Sequence, residues 1–188
     1  MNYAKGSIAG YLKDLSAKTP APGGGSSAAL SAAMSAGLIA MVCQFTLGKE
    51  KYKRFTPCLE ALLHSASLKQ KRCLELLDED VRAYASGDLE KSIRVPLEIC
   101  FLSYDLIKSS HELLKKGNAR LASDSVLAAG LAEVAFSGAF YYVLVNANAL
   151  GEKARKYKKE IARLKSLKKT LMILRKKIEV SFGRSLGR

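Results

Sequence analysis

The chain has 188 residues, enough for one domain with a substantial hydrophobic core and too few for two of ordinary size. Hydrophobic residues make up 48% of it, with no Trp and only 4 Pro, a composition that favours helices over strands. The formal charge of +14 is concentrated at one end, because residues 152–188 carry 14 Lys and Arg against 3 Glu and so account for +11. The remaining 151 residues are nearly neutral, which excludes a uniformly basic protein.

The apolar spacing predicts a first helix over residues 7–18, with Ser7 as its N-cap. Residues 19–25 contain two Pro, which exclude a helix, and three Gly, which permit positive φ, so we predict a specific turn with exposed backbone. A long helix then runs from Ser26 to Leu47 and is closed by Gly48. Its Ala, Ser and Gly residues leave little side chain on one side, which predicts close packing against neighbouring helices.

The stretch from Ser26 to Leu47 carries no charge and as a helix would span about 33 Å, enough to cross a bilayer. It holds five Ser and Thr, and weakly apolar Ala dominates, so we expect a core helix and no membrane span. Lys13 and Asp14 interrupt the N-terminus, and no cleavable signal peptide is visible. We therefore expect a cytoplasmic protein.

Three more helices follow in the middle of the chain. Thr56-Pro57 predicts a start and Gly87-Asp88 a break. Pro96 is predicted to open or kink the next helix, which ends at Gly117. Ser123 or Asp124 is predicted to cap a second helix rich in Ala and Gly, which ends at Leu150-Gly151.

The last helix, within residues 152–188, has Leu and Ile three or four apart and Lys and Arg on its other faces. Four cysteines are widely separated, with no Cys-x-x-Cys pair, so we expect buried free thiols and no metal site: Cys43, Cys58, Cys73 and Cys100. The pattern as a whole predicts an all-α protein. We expect one domain over 1–188, an orthogonal or antiparallel bundle of about six helices that either dimerises closely or packs tightly as a monomer.

Three stretches are more specific than helix patterns, and their order and spacing carry a resemblance: Pro20-Ala21-Pro22-Gly23-Gly24-Gly25-Ser26, Asp80-Val81-Arg82-Ala83-Tyr84, and Gly117-Asn118 followed by Ser123-Asp124. Over roughly residues 7–150 the chain resembles the formiminotetrahydrofolate cyclodeaminase and methenyltetrahydrofolate cyclohydrolase family. The resemblance implies an all-α fold, usually a homodimer, that binds a reduced folate between helices and uses no metal or further cofactor. The two activities share an intermediate, and the sequence does not separate them.

The resemblance implies a catalytic role for Asp80 as the group that moves protons during ring closure or opening. Taken alone, the triplet from Asp78 to Asp80 is more typical of a solvated helix edge that pairs with Arg82, and only the surrounding matches to the family bring the catalytic interpretation level with it. Both interpretations stay open at the level of sequence.

The resemblance also implies substrate contacts: Pro22, Gly23, Gly24, Gly25, Ser26, Asn118, Ser123, Asp124, Tyr142 and Asn146. The glycines would bring backbone N–H groups to the folate, although they also suit a tight connection between helices. Ser123 and Asp124 are equally typical of helix caps. Asn146 lies on a mostly apolar helix, where its amide needs either a ligand or a neighbouring backbone group. Tyr142 stands where the family commonly has Asn.

An alternative from another class is a non-enzymatic helical module that binds nucleic acid or an acidic partner through the basic C-terminal helix. Its Leu residues need burial, however, and its Lys and Arg residues equally suit solvation or attraction of a folate's polyglutamate tail. We therefore favour folate chemistry over nucleic-acid binding.

Overall fold

The computed structural model describes residues 2–186, and within them it contains helices and turns and no β-strand. Four short 3-10 helices connect or precede the longer elements. The α-helices are α1 (Ile8–Leu15), α2 (Gly24–Thr46), α3 (Thr56–Ser86), α4 (Leu89–Lys116), α5 (Ala122–Leu150) and α6 (Lys158–Leu186). The predicted all-α class is confirmed.

Helices α2 and α5 form the centre of the bundle, and their small residues let them approach closely. Both pack on α4 and on each other, while α3 covers α2 and α6 lies against α4 and α5. Ala32 and Ala132 are fully buried, and the Ser35 hydroxyl donates to the Ala128 carbonyl oxygen across the interface at 2.7 Å. The interior is therefore made largely of backbone and Cβ contacts, as the composition of these two helices predicts.

The predicted break between α3 and α4 is confirmed, but the role of Pro96 is not. Gly87 ends α3 with a φ of 65°, and the Asp88 side chain caps α4 by accepting from the N–H groups of Glu90 and Lys91. Pro96 is buried inside α4, seven residues after its first residue, Leu89. Of the two predicted roles for Pro96, opening a helix is wrong because Asp88 supplies a stronger start signal upstream, and a kink stays a prediction.

Ser123 and Asp124 do not cap α5. The helix begins at Ala122 without a side-chain cap, directly after the 3-10 turn Ala119–Leu121. That turn is capped by Asn118, whose Oδ1 accepts from Arg120 N–H at 3.2 Å. The 3-10 turn merges into the α-helix and moves the start signal upstream.

The basic helix α6 belongs to the bundle. Leu164, Leu171 and Ile178 are buried at seven-residue spacing, and Arg175 reaches Glu133 of α5 at 2.8 Å. Most of the Lys and Arg residues of α6 point outward, so its apolar side is already covered by the rest of the chain.

The cysteines are free, and all except the half-buried Cys58 are buried. Two helical segments, Gly24–Thr46 and one within residues 119–184, are long and apolar enough to cross a membrane by length and composition. About half of each apolar window is buried inside the bundle, which is the arrangement expected of core helices.

Candidate active site

A cleft of about 260 Å³ opens where the N-terminus of α2, the C-terminal part of α3 and the C-terminal part of α5 meet. Residues 20–25 except Pro22 form one wall, and residues of α3 and α5, with one residue of α4, form the others. The lining residues are Pro20, Ala21, Gly23, Gly24, Gly25, Asp80, Tyr84, Ser92, Tyr142, Val145 and Asn146.

Glycine is required at two positions of this cleft because other side chains press against the backbone. A Cβ on Gly25 would overlap the Asp80 carboxyl group, and a Cβ on Gly24 would overlap the Tyr142 hydroxyl. The positive φ that these glycines would permit is not used in this segment, since the glycines with positive φ in residues 2–186 are Gly48, Gly87 and Gly151. Close approach, not backbone handedness, is what these glycines provide.

Serine and tyrosine hydroxyls hold the glycine turn in place. The Ser26 hydroxyl bonds both the N–H and the carbonyl oxygen of Gly23, at 3.2 and 2.8 Å. The Tyr11 hydroxyl lies 3.0 Å from the hydroxyls of both Ser26 and Ser27. These contacts fix the start of α2, where the backbone N–H groups of the first turn have no carbonyl partner within the helix.

Asp80 projects from α3 against this helix start. Its carboxylate accepts the backbone N–H of Ser26, and partial burial raises the pKa of Asp80 from 3.8 to about 6, with the Ser26 hydrogen bond opposing the rise. Desolvation raises the pKa because it penalises the charged form of the carboxyl group, and this effect is larger than the opposing effect of the hydrogen bond. A carboxyl group with such a pKa takes up and releases protons near neutral pH.

The neighbouring acidic residues point elsewhere. Asp78 is buried and accepts the backbone N–H groups of Tyr3 and Ala4 at 2.7 and 3.4 Å. Glu79 pairs with Arg72 at 2.6 Å. The interpretation of the triplet as a solvated edge paired with Arg82 is therefore wrong, because each carboxylate lies on a different side of α3.

Asn146, in the wall of the cleft, makes a hydrogen bond to a backbone carbonyl that Pro96 leaves without its helical donor. Proline has no N–H, so the carbonyl of the residue four before it, Ser92, lacks its usual helical donor. The Asn146 side-chain amide donates to that carbonyl oxygen at 2.5 Å. Of the two partners considered for this amide, the structure supplies the neighbouring backbone, and this bond ties α5 to α4 at the cleft.

Several predicted contact residues lie outside the cleft. Pro22 is buried behind it, and Ser26 contributes its backbone N–H while its buried hydroxyl is used in the turn. Asn118 lies at the far end of the bundle, where its N–H donates to Thr46 Oγ1 at 3.0 Å.

Thr46 is the last residue of α2, about 33 Å along the helix from the glycine turn. Ser123 and Asp124, in the first turn of α5, lie at the same distant end. Within one chain, the prediction that these two residues and Asn118 share the cleft with Asp80 is wrong. The resemblance implied that they line the cleft, but the antiparallel course of α2 and α5 separates them within the chain.

The sequence did not single out Tyr84, Ser92 or Val145 as site residues, although they line the cleft. Tyr84 stands four residues after Asp80 and so lies on the same face of α3, a signal that was available. Ser92 contributes a backbone carbonyl that bonds Asn146, and no local sequence pattern predicts such a contact.

The model of the formiminotransferase-cyclodeaminase family matches residues 7–87 and 85–164. The chain belongs to this family. The matched segments contain every residue that lines the cleft.

Among family relatives, the methenyltetrahydrofolate cyclohydrolase of Methylorubrum extorquens is 30% identical over 167 residues, which are 77% of this chain and 80% of that protein. The formimidoyltransferase-cyclodeaminase of Mus musculus is 28% identical over 163 residues, or 74% of this chain. The match covers only 30% of the mouse protein.

The fold is similar to that of a solved structure, the formiminotetrahydrofolate cyclodeaminase of Thermotoga maritima. The TM-score is 0.89 over 98% of this chain and 99% of that one, with 21% sequence identity. The predicted family and the cyclodeaminase fold are thus confirmed.

Proposed function

We propose that this family member is a cytoplasmic enzyme that closes or opens the methenyl bridge of a tetrahydrofolate, with Asp80 as its acid–base group. The observation that carries the proposal is a single carboxyl group, held against the start of α2 inside a cleft, with a pKa raised to about 6. Family membership supports the substrate class.

In the cyclodeaminase direction, N10 of formiminotetrahydrofolate attacks the carbon of the protonated formimino group. The Asp80 carboxylate takes the N10 proton and then gives it to the departing amino group. The new N10–carbon bond remains, the carbon–NH₂ bond breaks, and ammonia leaves with the methenyl cation as product. Asp80 ends in its starting state, which a pKa near the working pH permits.

In the cyclohydrolase direction, water attacks the methenyl carbon while Asp80 accepts one of its protons, and Asp80 returns that proton to the ring nitrogen as its bond to the carbon breaks. The remaining hydroxyl proton is released to solvent as the formyl C=O forms. This second activity is supported by the cyclohydrolase relative, which this chain matches over 80% of that protein's length. Both reactions need the same proton carrier at the same carbon.

Separate assays with formiminotetrahydrofolate and methenyltetrahydrofolate distinguish the activities, with methenyl absorbance and ammonia release as the readouts. Asp80→Asn should abolish whichever activity the protein shows. Asp105→Asn, which removes an exposed carboxylate paired with Lys108, is the matched control and should keep it. If the wild-type protein turns over neither compound, the proposal fails.

We also propose a homodimer through the side of α2 and α5 that faces away from α4. Large apolar side chains are exposed there on both helices, by 46–64%: Met34, Phe45, Leu127, Val134, Tyr141 and Val145. On α5, residues 127, 134 and 141 repeat every seven residues, as in helices that pack along a seam. Monomeric proteins rarely expose such a continuous apolar face, and a second copy would cover it.

Sedimentation velocity tests the dimer. Val134→Glu places a charge in the proposed interface and should yield monomers, whereas Met172→Glu, at an equally exposed position on α6, should not. If the two-fold axis crosses α2 and α5 near their middles, Asn118 of the partner subunit comes near the cleft. An Asn118→Ala variant should then raise KM in the dimer, and an unchanged KM would exclude this arrangement.

A further inference from the structure

A second cleft, between α3 and α4, has no role in the proposed reaction. It encloses about 520 Å³ between the end of α3 and the start of α4, about twice the volume of the cleft that holds Asp80. Four cationic and two acidic side chains line it: Arg72, Arg82, Lys91, Arg94, Glu79 and Glu98.

Both acidic residues in this second cleft are hydrogen-bonded to one arginine, which also pairs with Glu75 at 3.2 Å and offsets only part of their negative charge. Arg72 bonds Glu98 through two nitrogens, at 2.7 and 2.9 Å, and Glu79 at 2.6 and 3.2 Å. These hydrogen bonds, those to Glu98 first, keep the pKa of Arg72 well above its usual range. Both acidic side chains are therefore held in the wall of the cleft by Arg72.

The remaining cations are available to a ligand. Arg82 and Arg94 are exposed, and within residues 2–186 neither makes an ion pair. Among the described residues, the ion pair of Lys91 is a long, exposed contact with Asp88, at 3.4 Å. Guanidinium groups bind carboxylates and phosphates through paired N–H donors, so two free arginines at one cleft suit a ligand with at least two anionic groups.

The two clefts lie on opposite sides of α3. Arg82 is two residues from both Asp80 and Tyr84, which places it about 200° around the helix from each of them. A chain that leaves the first cleft would need to cross about one helix diameter, some 10 Å, to reach Arg82.

We propose that the second cleft is a binding site for a ligand that carries two or more carboxylate or phosphate groups. One source of that chemistry is the glutamate tail of a folate held in the first cleft, and this source rests on the proposed function. The other source is a separate polyanion, which does not.

Calorimetric titration with free tri-γ-glutamate and with inorganic tripolyphosphate tests the site without any folate. The double variant Arg82→Gln/Arg94→Gln should weaken binding of at least one of them by about tenfold or more. The control Lys165→Gln/Lys169→Gln removes the same charge from the exposed face of α6 and should change binding little. If neither probe binds, or if the two double variants weaken binding equally, the site is refuted and only the general basic charge is at work.

A second arm identifies the source, with mono- and triglutamyl forms of the same folate as substrates. A lower KM for the triglutamyl form that is lost in Arg82→Gln/Arg94→Gln, with the monoglutamyl KM unchanged, assigns the site to the tail. Equal KM values for the two forms, together with arginine-dependent tripolyphosphate binding, assign it to a separate polyanion. If no folate is turned over while a probe still binds through the arginines, the proposed function fails and the anion site stands.

Discussion

Replacing Asp80 with Asn should make the protein more stable and less active at the same time. The structure raises the pKa of Asp80 from 3.8 to about 6 by desolvation. At about 1.4 kcal/mol per pKa unit, keeping the carboxylate ionised costs the folded state about 3 kcal/mol. Partial exposure of the group lowers this toward about 2 kcal/mol. Asn has similar size and can still accept the Ser26 N–H, but it carries no charge.

The sign and the pH window follow from the raised pKa. In the wild type, the folded state binds the proton more tightly than the unfolded state, so stability is lost as pH rises from about 4 to about 6. The loss is complete at pH 8 and about half complete at pH 5. Asp80→Asn should therefore gain about 2–3 kcal/mol at pH 8 and about half as much at pH 5.

Urea unfolding at both pH values measures this difference, and thermal unfolding at pH 8 should show a melting temperature about 6 °C higher. Activity should fall by about 100-fold or more, as expected for loss of a proton-transfer group. Wild-type kcat/KM should also decline below about pH 6. A variant that is less stable than the wild type at pH 8, or whose gain does not depend on pH, would refute a desolvated carboxylate at this position.

Three further substitutions test the packing around the site. Gly25→Ala should lower activity strongly and stability by about 1–3 kcal/mol, because the new Cβ displaces the Asp80 carboxyl group; enzyme assays and urea unfolding measure both effects. Tyr11→Phe removes the hydroxyl that joins two serines at the start of α2 and should cost about 1 kcal/mol in the free energy of unfolding. Leu171→Ala should cost about 2–5 kcal/mol because this side chain is 2% exposed, whereas Met172→Ala, at a position 65% exposed, should cost little in the same experiment.

The first two of these changes have matched controls in the same chain. Gly183→Ala adds a methyl group where nothing lies within 4 Å, and Tyr84→Phe removes an exposed hydroxyl. Equal losses of stability in Gly183→Ala and Gly25→Ala would contradict the steric argument. A loss in Tyr84→Phe as large as in Tyr11→Phe would show that the hydroxyl network is not what holds the turn.

Local signals in the sequence were sufficient for much of the fold. Ser7 caps α1, Thr56-Pro57 begins α3, and Gly87 ends it, because caps and breaks depend on residues a few positions apart. The small residues of α2 and α5 likewise predict close packing, but they do not indicate which helix packs against them. The predicted start of α5 was wrong because Ser123 and Asp124 were interpreted as its cap, whereas the 3-10 turn after Asn118 leads directly into the helix.

Only part of the candidate site could be predicted from the sequence. Asp80 and the glycine turn came from the resemblance, and the structure brings them together; their roles in catalysis stay predictions. Asn118, Ser123 and Asp124 were grouped with them because motif residues were assumed to share one cleft. Within one chain they do not, for a geometric reason, since a helix of 23 residues carries its two ends about 33 Å apart.

What the amino-acid sequence determined by itself is therefore the set of helices, the requirement for small residues where they meet, and the family. What only the tertiary structure decided is the environment of each polar side chain: Asp78 on the N-terminal segment, Glu79 on Arg72, and Asp80 in the cleft. Helix boundaries follow from interactions between near neighbours in the chain. The pKa of a carboxyl group follows from what packs over it, and here that is backbone more than 50 residues away in sequence.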